Sequence, residues 1–263
     1  MKAYITHGLD QWPSAEAEGI QGFRVDVPQD GPLLDFIAPI VGMPLDTCFI
    51  LHDIARNEAL LDAMRDTGYD TSRALIEPFN EREQGRVTPQ VMIDAINILF
   101  HDCDARGFQG RLVASGDSDL KSVDFYGQIA PQLPADCIIA CHDYPKGTQR
   151  LYSAWHGSHE ADIELFLEAI GNHQPACSEF GFHMAEEVES HLFHPDVHSR
   201  LTEEDVYTRL MEYLRRYARY GFLFAAVYQW GDGDTDNAMG RYGLHHLDLT
   251  PKRQLDAMTD WRT

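Results

Sequence analysis

Short apolar runs recur along the chain, each followed by a polar turn and then by a stretch whose apolar positions return with helical period. The runs cover residues 4–8, 22–27, 47–52, 74–79, 111–115, 137–142, 175–179 and 222–229, and each has the length of a strand. Residues 222–227 are apolar almost throughout, as in parallel strands covered on both faces. Helical segments are expected at 57–66, 88–105, 119–133, 159–170, 202–220 and 251–261, with a shorter one within 32–41 and a truncated one at 13–20. Thr88-Pro89 is a start signal, because proline suits the first helical position. Thr202 is followed by Glu203, Glu204 and Asp205, which place acids in a first turn.

Eight strand-like runs in 263 residues leave about 33 residues for each βα unit, the length of one strand and its crossover. An α/β protein is expected, built as one (β/α)8 TIM barrel over residues 1–263 with short loops. A doubly wound open sheet is the competing solution, but no Gly-rich first βα turn supports it.

Composition narrows the partners. Lys and Arg number 21 against 42 Asp and Glu, a formal net charge of −21. Such a field repels phosphate backbones and anionic lipid, so nucleic acid and membrane surfaces are not expected partners. No stretch approaches the roughly 20 apolar residues of a membrane span. The first residues lack the apolar region of a signal peptide, so a cytoplasmic location, or secretion after removal of a leader, is expected. Of Cys48, Cys103, Cys137, Cys141 and Cys177, four fall in strand-like runs, which predicts buried thiols rather than a disulfide framework or a zinc knuckle.

A barrel of this kind builds its active site at the C-terminal ends of the strands. Those ends carry Arg24 and Asp26, His52-Asp53, Glu77-Pro78-Phe79-Asn80-Glu81, Ser115-Gly116-Asp117, His142-Asp143-Tyr144, Ser178-Glu179 and Gln229-Trp230. Apolar runs that each finish in charged or ring-bearing residues are hard to explain by packing. Glu81 and Glu179 would face each other across the mouth, and paired carboxylates are what glycoside hydrolysis uses. Arg24, Asn80 and Tyr144 would supply hydrogen-bond donors, and Trp230 a face on which a sugar stacks. Glu77, two residues before Phe79 on the same strand, reads as a buried partner of Arg24.

In this order the residues resemble clan A retaining glycoside hydrolases, most closely the cellulase-like pattern of family 5. The matching set is Arg24, His52, Asn80, Glu81, His142, Tyr144, Glu179 and Trp230, and it spans nearly the whole chain. The resemblance implies Glu81 as acid/base and Glu179 as nucleophile. It implies Asn80 on the sugar 2-hydroxyl, and Arg24 and Tyr144 orienting the nucleophile. His52 and His142 would contact the sugar or the acid/base, with Trp230 beneath the cleaved ring. It also implies a β-linked carbohydrate as substrate, double displacement, and neither metal nor organic cofactor; the formal charge of −21 points to a neutral carbohydrate. One departure stands out: Arg82 occupies the place of the family's proline after Asn-Glu, which sets a cation beside the acid.

Two other readings keep the barrel. A metal-dependent hydrolase would draw on His183, His191, His194 and His198 with Asp117 or Asp232. A carbohydrate-binding barrel would lack turnover. Neither a Gly-x-Ser-x-Gly elbow nor a complete calcium loop occurs: after Asp232, Asp234 and Asp236, Asn237 and Gly243 stand where glycine and glutamate are needed.

Overall fold

The computed structural model describes residues 1–7, 9–80, 87–115, 120, 122–144, 159–182, 202–229, 231, 243–246 and 248–263. Eight parallel strands, β1 (Lys2–Thr6), β2 (Gly22–Asp26), β3 (Asp46–Leu51), β4 (Ala74–Pro78), β5 (Arg111–Ser115), β6 (Ile138–Asp143), β7 (Gln174–Phe180) and β8 (Phe224–Tyr228), pair in chain order. Pairing of β1 with β8 closes the barrel. Every strand begins and ends within two residues of its apolar run.

Eight α-helices alternate with the strands: α1 (Trp12–Ala17), α2 (Leu33–Ile37), α3 (Asn57–Thr67), α4 (Pro89–Ala105), α5 (Val123–Ile129), α6 (His159–Ile170), α7 (Glu203–Arg219) and α8 (Ala257–Asp260). Their starts follow the local chemistry. The Thr88 side chain accepts from the Val91 N–H, and Pro89 occupies the first turn of α4. Thr202 and Asp205 cap α7 reciprocally. Gly68, at φ 73°, lets α3 stop in the left-handed conformation. Two helices are shorter than their periodicity suggests. The segment expected at 119–133 is α5 followed by a 3-10 turn at Ala130–Gln132, where Pro131 lacks the N–H that would continue the helix. The one expected at 251–261 divides into a 3-10 turn, Arg253–Asp256, and α8.

Two apolar cores result. One lies between strands and helices and takes the inner stripes of the helices, such as Met92, Ile96 and Leu99 of α4 and Leu210, Leu214 and Tyr217 of α7. The other fills the barrel itself with Tyr4, Cys48, Leu75, Val113, Ile138, Ala140, Ala176, Phe224 and Ala226. All five cysteines are buried free thiols. No helix among the described residues is long and apolar enough to cross a membrane.

The interior core depends on one glycine. Tyr4 stacks on Phe224 with centroids 4.6 Å apart and passes over Gly22, where an added Cβ would lie 2.5 Å from the Tyr4 ring. Gly22→Val is therefore expected to lower stability by about 1–3 kcal/mol through overpacking, read as a lower urea midpoint. An unchanged midpoint would show that the Tyr4 ring moves freely.

Candidate active site at the barrel mouth

Strand side chains alternate inward and outward, so inward residues of each strand rise in steps from the apolar floor toward the C-terminal mouth. Directly above that floor, Arg24 follows Gly22, Glu77 follows Leu75, Ser115 follows Val113 and His142 follows Ala140. A polar tier sits on an apolar one, and nearly all of it is sealed from solvent.

Arg24 is at its centre and is wholly buried. A guanidinium there needs opposite charge and full hydrogen bonding. Its Nε and Nη2 donate to the two carboxylate oxygens of Glu77 at 2.8 and 2.7 Å, a bidentate fork. Nη2 also donates to Asn80 Oδ1 at 2.9 Å, and Nη1 to Glu179 Oε2 at 3.4 Å. Burial works against the charge on Arg24, but the facing Glu77 and then Glu179 outweigh it and hold its pKa above the ordinary value. Cys48 Sγ, from the floor below, donates to Glu77 Oε2 at 3.4 Å.

The charge balance singles out one carboxylate. One cation meets two anions, and its short, forked bonds go to Glu77. Glu179 takes the longer Arg24 contact and has 7% of its side chain open, whereas Glu77 has none. Glu179 thus stands at the solvent side of the tier.

His142 packs against both groups. A register shift between Cys141 and His142 brings it opposite Glu179 across the β6–β7 pair. Its Nε2 lies 3.4 Å from Arg24 Nη2, which can only donate, so Nε2 is the acceptor and the neutral ring carries its proton on Nδ1. Nδ1 lies 3.4 Å from Glu179 Oε2 but without hydrogen-bond alignment. Burial, then Arg24, push the His142 pKa well below its ordinary value, so the ring is neutral and the Glu179 contact is not an ion pair.

Such a histidine makes stability depend on pH with a known sign. The unfolded chain binds the proton below about pH 6.5 while the folded chain does not, so stability falls as pH drops through that value. We expect wild type to lose up to about 1.4 kcal/mol per pH unit from this group between pH 6.5 and 5, and His142→Gln to lose that component of the slope. Denaturant titrations at pH 7, 6 and 5 on both proteins give the difference, and identical slopes would contradict a buried neutral ring.

Immediately after His142, Asp143 anchors the end of β6 from the outside. Its Oδ2 accepts from the Tyr217 hydroxyl and from His159 Nε2, each at 2.6 Å. Arg216 Nη1 sits 3.3 Å from His159 Nδ1; being a donor only, it leaves the histidine proton on Nε2, facing Asp143.

The next tier is open to solvent. His52 Nε2 lies 2.6 Å from Asp26 Oδ1, and His7 Nδ1 lies 3.6 Å from Asp26 Oδ2. The His7 ring meets Tyr228 edge-on at 5.7 Å, and Tyr228 meets Tyr144 edge-on at 6.2 Å. Burial lowers the His7 pKa despite the opposing effect of Asp26. His7 and Phe79, just past β1 and β4, hold left-handed φ angles of 63° and 64°. Non-glycine residues in this region cost free energy and concentrate where the chain is bent to serve a site. After Phe79 the chain delivers Asn80 to Arg24.

Of the residues expected from sequence, Arg24, Asn80, His142 and Glu179 come together in one cluster. His52 and Tyr144 sit at the rim, on Asp26 and Tyr228 respectively. His142 and Arg24 are buried beneath the mouth rather than lining it. Glu81 and Trp230 lie outside the described residues, as do Asp117, His183, His191, His194, His198 and Asp232. Among the described residues no three His, Cys, Asp or Glu side chains are grouped to hold a metal ion. Sequence reasoning assigned no part to His7 or Tyr228. Tyr228 continues the inward series Phe224, Ala226, and that alternation was its only signal.

No protein-family model matches the chain, and no curated protein matches it. Solved structures do. An active-site mutant of a Rhizomucor miehei β-1,3-glucanosyltransferase in complex with laminaritriose has a TM-score of 0.70 at 11% identity, covering 96% of each chain. A family 39 glycoside hydrolase from Bacteroides cellulosilyticus has 0.68 at 12% identity, covering 99% of this chain and 63% of its own. The endoglucanase Cel5A of Thermotoga maritima has 0.63 at 12% identity, covering 98% of this chain and 96% of its own. At such identities the likeness is one of fold: this barrel is built like those of glycoside hydrolases, including the cellulase-like Cel5A.

Proposed function

We propose that the chain is a retaining glycoside hydrolase acting on a β-linked, neutral oligo- or polysaccharide, with residues 1–263 as one catalytic unit. The observation that carries this reading is the charge arrangement around Arg24. Its fork goes to Glu77, and it reaches Glu179, at the solvent side of the same tier, by a single longer bond. A carboxylate so placed suits nucleophilic attack on an anomeric carbon.

In the proposed cycle Glu179 attacks C1 of the sugar while Glu81 gives its proton to the departing glycosidic oxygen. The bond to the leaving sugar breaks as the bond to Glu179 forms. Glu81, now a carboxylate, takes a proton from water, and the hydroxide displaces Glu179 from C1. Two inversions at C1 give net retention. Asn80, which accepts from Arg24, would meet the sugar hydroxyl next to C1, Arg24 and Tyr144 would orient Glu179, and Trp230 would lie beneath the cleaved ring, with Tyr228 adding a ring face. No step calls for a metal or organic cofactor. The same covalent intermediate serves hydrolases and transferases, which differ in whether water or a sugar hydroxyl intercepts it, so the glucanosyltransferase likeness supports the reading as much as the endoglucanase does.

The test is covalent trapping. An activated 2-deoxy-2-fluoro β-glycoside panel (gluco, manno and xylo) is expected to inactivate the enzyme with a mass increase of one glycosyl group on the peptide bearing Glu179. Turnover of the corresponding aryl β-glycosides is expected to persist in chelator. Label on another residue, inverted products, or saccharide binding with no turnover would each overturn the proposal.

A further inference from the structure

Across the barrel from Glu179, the ends of β1, β2 and β3 carry a second polar group that the hydrolytic steps do not use. Asp26 lies two residues beyond Arg24 on β2 and on the same inward face, so it is about 6.6 Å further along the strand, toward the mouth. That is comparable to the step from one sugar ring to the next. Its setting is the reverse of Glu77's. Glu77 is sealed and forked by a guanidinium, whereas Asp26 has 40% of its side chain open and faces two imidazoles.

The donor and acceptor inventory defines what fits there. His52 Nε2 donates to Asp26, whose carboxylate can only accept and has further lone pairs for hydroxyl donors. One tier below, the Thr6 hydroxyl is buried and without a hydrogen-bond partner. Tyr228, paired in register with Thr6, sets its ring against His7. Acceptors beside an aromatic ring suit a pyranose, whose hydroxyls donate to a carboxylate while its C–H face rests on the ring. A ring bearing its own carboxylate would be repelled by Asp26, and the formal charge of −21 adds to that repulsion.

We propose that His7, Asp26 and His52, beside Tyr228, form a recognition site for a neutral, hydroxyl-bearing sugar ring adjoining the one cleaved, and that Asp26 excludes uronic acids from it. This rests on the glycosidase reading for the position of the cleaved ring, but its binding chemistry can be tested without turnover.

Calorimetric titrations would use Glu179→Gln and Glu179→Gln/Asp26→Asn with cellotetraose, laminaritetraose and mannotetraose, each alongside its C6-oxidised counterpart. In the Asp26 protein at least one neutral tetrasaccharide is expected to bind about tenfold or more tightly than its oxidised form, since a charge-assisted hydrogen bond is replaced by repulsion. Asp26→Asn is expected to weaken the neutral ligand about tenfold and to shrink the preference to within about threefold. A preference is a ratio, so it does not depend on the fraction of protein correctly folded; His52→Gln, which leaves Asp26 charged, should weaken the neutral ligand while retaining the exclusion of the oxidised one. Failure of all three neutral ligands to bind, or a preference untouched by Asp26→Asn, would overturn the proposal. Failure of the glycosidase reading would look different: selective binding intact, and no hydrolysis by wild type.

Discussion

Replacing Glu179 with Gln is expected to lower kcat on aryl β-glycosides by about 10³-fold or more, with little change in protein stability. The amide keeps the shape and still accepts from Arg24, but it removes the negative charge and the proposed nucleophilic oxygen together. Glu179→Gly should be as inactive and, with azide added, should regain a measurable rate and release a glycosyl azide of inverted anomeric configuration. Azide enters the space of the missing carboxylate, and only one displacement then occurs at C1. Rates on the activated glycosides and the product's NMR spectrum are the readouts. Wild-type rates in both variants would remove Glu179 from the mechanism.

Arg24→Met is expected to destabilise the fold by about 3–5 kcal/mol and to abolish activity, because it leaves Glu77 charged and sealed with nothing to neutralise it. A methionine fills most of the volume, so lost packing is the smaller part of the effect. The double variant Arg24→Met/Glu77→Leu separates the two roles. Removing both charges replaces a buried pair with apolar groups of similar size, a change that is often neutral for stability. We expect the double variant to recover most of the urea midpoint while activity stays lost, since Asn80 and Glu179 no longer have their shared donor. Recovery of activity along with stability would mean that the guanidinium serves the fold alone. Failure to recover stability would point to packing, and not to the stranded charge, as the cause of the first loss.

How these residues come to share a site illustrates what a one-dimensional reading reaches. The eight strands were legible because a buried parallel strand must be apolar on both faces, and that necessity is written into consecutive residues such as 137–142 and 222–227. Helix starts were legible for a similar local reason: Thr88-Pro89 and Thr202–Asp205 satisfy their own backbone groups within one turn. Arg24, Glu77 and Glu179 could be recognised as strand-end polar residues, and a closed barrel brings such ends together whatever the loops do.

Which of them bonds to which was another matter. Arg24 and Glu179 are far apart in sequence, and their meeting depends on barrel closure and on the register shift in β7 that sets Glu179 opposite His142. The forked bond that assigns Arg24 to Glu77 rather than to Asp26 follows from depth: Glu77 stands in the sealed tier with Arg24, while Asp26 is one step higher, in reach of His52 and His7. Local chemistry, set by a few consecutive side chains, determined the elements and their inward faces from sequence alone. Only the tertiary structure decided the pairing of charges and which carboxylate stands toward solvent. Those depend on distance and burial across the barrel, where the same acidic side chain is a neutralised partner at one height and a solvent-facing acceptor at the next.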